Sequence, residues 1–90
     1  MLPSFPVVDS LKTRLVTTRQ WAQRLTRLKP SREAILLIQR AIEDLTDAER
    51  LFGQPDANEK PHILRAVDAC VDVAQWRLRG VEQLIADATA

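Results

Sequence analysis

Ninety residues, 46% hydrophobic and 28% charged, describe one small folded domain, 1–90, and exclude a disordered or fibrous chain. One cysteine excludes an intrachain disulfide and any multi-cysteine metal site, and one histidine with no tyrosine leaves little for acid–base chemistry. Net charge is +1 but unevenly spread: Lys12, Arg14, Arg19, Arg24, Arg27, Lys29 and Arg32 have no acid among them, while six basic residues face eleven acidic ones from Glu33 onward. Such a chain either pairs its two signs internally or offers a two-signed surface.

Residues 1–8 contain Pro3 and Pro6 and no basic residue, so they read as an extended segment and not as a secretory signal. The first helix is expected over about 10–29, with Asp9 or Ser10 as N-cap and Pro30 as the stop. Leu11, Leu15, Ala22, Leu25 and Leu28 form its apolar stripe, flanked by Trp21, and Val16 falls on the opposite side. Lys12, Arg19, Arg24 and Arg27 fan out on the face away from that stripe. A ridge of this kind can follow a phosphate backbone, which makes nucleic-acid binding the alternative function.

The second helix is expected over about 32–52. Ser31 caps it, Glu33 sits at the positive end of its dipole, and Ile35, Ile38, Ala41, Ile42, Leu45, Ala48 and Phe52 form its stripe. Gly53 is a natural place for positive φ, and Pro55 blocks continuation.

The third helix is expected over about 57–87, opened by a capping box from Asp56 to Glu59, with Pro61 in the first turn or so. Its apolar positions run from Ile63 to Ala88 and keep their phase across Gly80, so one continuous helix is the reading. Short connections at Pro30 and from Gly53 to Asp56 force antiparallel neighbours. The fold expected is all-α: an up-down-up antiparallel three-helix bundle with a long third helix, completed by dimerisation.

Chemistry is sparse. His62-Ile63-Leu64-Arg65-Ala66 resembles the phosphorylated His-x-Leu-Lys-Gly motif of histidine phosphotransfer domains over five residues, with Arg and Ala standing for the motif's Lys and Gly. An exposed histidine at a helix start is the simpler reading. Cys70 lies in the third stripe and reads as a small core residue. Glu59 and His62 match Glu-x-x-His spacing once, whereas a di-iron bundle needs it twice. No enzyme and no cofactor are therefore implied.

The function expected is a small non-enzymatic interaction module that homodimerises through its third helix, cytoplasmic and apart from any membrane. The expected interface is Ala69, Val73, Trp76, Gly80, Val81, Leu84 and Ile85: a long third helix is expected to project its C-terminal end past two shorter partners, and its apolar arc, widened by Ala69, Val73, Trp76 and Gly80, is broader than two neighbours fill. The N-terminal apolar residues Leu2, Phe5, Val7 and Val8 are expected to emerge at the opposite end and cannot cover it. Arg77 falls inside the apolar arc and needs a partner, expected to be Glu33 at the start of the second helix.

Overall fold

The computed structural model describes residues 4–89, a rod of 50 × 19 × 17 Å built from three helices. They are α1 (Ser4–Thr26), α2 (Arg32–Phe52) and α3 (Pro61–Thr89), with a single 3-10 turn at Ala57–Glu59 before α3. The bundle runs up, down and up. Arg14, Thr18 and Trp21 of α1 meet α3 at Asp68, Gln75 and Glu82 in ascending order, so α1 and α3 are parallel. Arg19 meets Glu49, and Arg77 meets Asp44, so α2 is antiparallel to both.

The burial pattern is that of a short coiled coil, with steps of four and three residues. On α1 the buried row is Leu11, Leu15, Thr18, Ala22 and Leu25, and on α2 it is Ala34, Ile38, Ala41, Leu45 and Ala48. On α3 it is Ile63, Val67, Val71, Ala74, Leu78 and Val81. Alanine at three heptad positions of α2, with Ala74 on α3, lets α2 and α3 approach each other more closely than either approaches α1.

Helix ends differ from the sequence reading at three places. α1 begins at Ser4 and not near residue 10, so Asp9 and Ser10 are exposed helical residues and residues 4–8 are not extended. Pro6 is harmless because a proline in a first turn gives up an N–H that has no helical partner. The extension carries Val8 into the core. Residues 1–3, Leu2 included, and the side chains of Phe5 and Val7 lie outside the described residues. At its far end α1 stops at Thr26, because Lys29 takes a left-handed φ of 53° ahead of Pro30, and Leu28 turns out to solvent.

Ser31 caps α2 as expected, its hydroxyl accepting from the Ala34 N–H at 3.2 Å. Gly53, however, has a right-handed φ of −76°, and the chain reverses instead at Asp56, φ 59°. With its backbone left-handed, Asp56 makes no side-chain cap bond, and the expected capping box gives way to the 3-10 turn. Pro61 is then the first residue of α3, and Lys60, in extended conformation, accepts the N–H groups of Ile63 and Leu64.

α3 is continuous through Gly80. Its 29 residues span about 44 Å against about 32 Å for the 21 of α2. The surplus lies at the N-terminal end of α3, not the C-terminal one. Phe52, the last residue of α2, lines the same cleft as Leu15, at the level where Arg14 meets Asp68. Residues 61–67 of α3 therefore run on beyond α2, and the early start of α1 together with buried Ala57 covers them. The C-terminal overhang expected past the bundle is absent.

Candidate functional site

That shift of register decides where the expected interface residues go. Val81 is fully buried in the core and is not interface; Ile85 is half-buried and packed against the same core. Ala69, Val73 and Trp76 stand exposed on the opposite side of α3, with Val73 41% and Trp76 69% accessible. Gly80 and Leu84 lie beside them and line a groove of about 510 Å³ with Glu33, Leu36, Leu37, Arg40 and Gln83. A neighbouring hollow of about 350 Å³ is walled by Leu37, Trp76, Arg77, Arg79 and Gly80. Leu37 and Gly80 belong to both, so the two hollows form one apolar surface along the outer side of the α2–α3 pair.

The α2 wall of this surface was missed by sequence reasoning, which placed Ile35 in the core. The structure buries Ala34 and leaves Ile35 and Leu36 exposed. The signal is in the sequence: the row 34-38-41-45-48-52 is apolar at every position, whereas the row 35-38-42-45-49-52 runs into Glu49. Thr18, a polar residue buried between Leu15 and Ala22, fits the same alternation of four- and three-residue steps. It receives a hydrogen bond from Gln75 Nε2 at 3.1 Å.

Arg77 pairs with Asp44, not Glu33, its Nε donating to Oδ2 at 2.8 Å. With the surplus of α3 at its N-terminal end, Arg77 sits level with the middle of α2, and Glu33 lies further along, near Leu84. Arg77 walls one of the two hollows, and both side chains of the pair are about one-quarter exposed, at 24% and 22%. Cys70 is half-buried beside it. Burial first, and then the charges of Asp47 and Asp44, push its thiol pKa up, which holds it in the protonated, unreactive form.

The basic face of α1 is partly consumed inside the fold. Arg19 grips Glu49 with two hydrogen bonds, Nε to Oε2 at 3.0 Å and Nη2 to Oε1 at 2.9 Å. Arg14 reaches across to Asp68 and Asp72 on α3 and donates to Gln75 Oε1 at 3.3 Å. Burial works to lower the pKa of the Arg14 guanidinium, but its hydrogen bonds and attraction to Asp68 and Asp72 outweigh that and raise it. Lys12, Arg24 and Arg27 remain exposed, and none joins an ion pair among the described residues. The unequal halves of the sequence thus meet, at least in part, within the bundle.

His62 is exposed in the first turn of α3. Among the described residues, no three His, Cys, Asp or Glu side chains gather closely enough to hold a metal ion. No helix among them is long and apolar enough to cross a membrane. No family model, curated protein or solved structure matches the chain.

Proposed function

We propose that this chain is a small non-enzymatic helical interaction module whose working surface is the outer side of the α2–α3 pair, and that its partner is a second copy of itself. The observation that supports this is Trp76, 69% accessible on the side of α3 opposite its buried row. An indole left in water beside Val73, Ala69, Leu36, Leu37 and Leu84 forms a contiguous apolar patch, and such patches mark docking sites on small soluble proteins. The contact set differs from the one read off the sequence: Val81 and Ile85 leave it, and Leu36 and Leu37 join.

The nucleic-acid alternative is weaker, since one of its four expected contacts, Arg19, is held by Glu49. The two differ in salt response. Apolar docking persists at about 0.5 M salt, where phosphate contacts are largely lost.

Light scattering on the purified protein at tens of micromolar tests the reading. A mass twice that of the chain, unchanged at high salt and reduced to the monomer in Trp76→Asp with helicity retained, is the expected result. A monomer mass for the unaltered protein overturns it.

A further inference from the structure

The outer face of α3 has a periodicity of its own. Ala66, Ala69, Val73, Trp76 and Gly80 follow one another at steps of three and four, the spacing of a coiled-coil seam. At about 100° per residue, Ala69, Trp76 and Gly80 fall within about 20° of the direction opposite Leu78, the centre of the buried row. α3 therefore carries two seams back to back. The inner one is filled by α1 and α2, and the outer one faces solvent at Val73 and Trp76.

We propose that the second copy docks on this outer seam antiparallel, α3 against α3, in the register that sets Trp76 against Val73 of the second copy and Gly80 against Ala69 of the second copy. The proposal rests on the dimer reading above and adds its orientation and register.

Shape and charge both select this arrangement. In a parallel docking Trp76 meets Trp76 in one layer while Ala69 meets Ala69 in another, so bulk and void alternate along the seam. Reversal lets each indole enter a hole walled by Val73 and by small Ala69. On one flank of the seam lie Asp72 and Arg79, seven residues apart on the same side of the helix. Reversal brings Asp72 of each copy to Arg79 of the other, twice by symmetry. Arg79 joins no ion pair among the described residues. Asp72 keeps a largely exposed carboxylate although one of its oxygens accepts from Arg14. A parallel docking instead turns Asp72 toward Arg77, already held by Asp44, and leaves Arg79 facing the apolar Leu84. On the other flank, Leu84 and the α2 residues Leu36 and Leu37 offer apolar contact, with Glu33 and Arg40 beside them.

Cross-linking decides orientation. In a Cys70→Ser background, Ala69→Cys and Gly80→Cys are combined in one chain; a β-carbon at Gly80 meets only Leu37 Cδ1, at 3.6 Å, so the cysteine fits. The two sites are about 16 Å apart along α3, too far to bridge within one chain. Oxidation with oxidised glutathione and peptide mapping should give a covalent dimer joined by two 69-to-80 bridges. Bridges of 69 to 69 and 80 to 80, or a persistent dimer mass with no bridge, overturn the docking while the dimer stands. A monomer mass for the unaltered protein removes both. Charge exchange gives the second arm. Arg79→Asp should raise the dimer dissociation constant about tenfold, from two lost ion pairs. Asp72→Arg combined with Arg79→Asp should recover it, and no recovery in a helical protein counts against the register.

Discussion

α3 meets its two neighbours by different means. Against α2 the packing is close and apolar, with Ala34, Ala41 and Ala48 of α2 and Ala74 of α3 fully buried. Against α1 the helices stand further apart, and much of the space between them is spanned by polar groups: Arg14 with Asp68 and Asp72, Gln75 with Thr18, and Trp21 Nε1 donating to Glu82 Oε2 at 2.9 Å. Close apolar packing is insensitive to salt and depends on volume to within a methylene, whereas exposed ion pairs contribute little each and are screened. The α2–α3 hairpin is thus the stable frame, and α1 is the helix laid onto it.

The largest expected effect comes from opening that frame. Leu45→Ala removes a fully buried side chain at the centre of α2 and should cost about 2–5 kcal/mol, read as a lower urea midpoint that does not change with salt. Arg14→Ala should cost only about 1 kcal/mol or less, because its side chain and both carboxylates are partly exposed, and most of that cost should vanish at about 1 M salt. Hydrogen exchange sharpens the same contrast: the α1 amides should exchange ahead of those of α2 and α3. Equal protection in all three helices would show that the polar contacts hold α1 as firmly as apolar packing holds the hairpin.

The smallest effect is a matter of pH. The folded protein raises the pKa of the Cys70 thiol above its ordinary 9.0, so the native state holds that proton more tightly than the unfolded chain. The contribution is fully present below about pH 9 and is lost as pH rises through the folded value. Cys70→Ser should remove this alkaline decline, measured as the difference in melting temperature between pH 8 and pH 10.

The three helices, their order and the continuity of α3 across Gly80 were legible because apolar periodicity is a local signal that survives without the tertiary structure. Ser31 was legible for the same reason, since a cap is satisfied within one turn. The ends of α1 were not. Pro6 and Pro30 both look like stops, yet a proline in a first turn costs no hydrogen bond, and the helix ends at Thr26, three residues before Lys29, which is left-handed. The candidate face was half legible: Ala69, Val73, Trp76 and Gly80 followed from the width of the apolar arc on α3.

What the amino-acid pattern determined by itself is which residues share a helix face, because 3.6 residues per turn links spacing to direction without reference to any neighbour. How far each helix slides along the next is not local. It was decided by where three rows of unequal side chains interlock, and by Arg14, Arg19 and Arg77 finding Asp68, Glu49 and Asp44 at matching heights. That sliding set the surplus of α3 at its N-terminal end, buried Val81 and drew Arg77 away from Glu33 to Asp44.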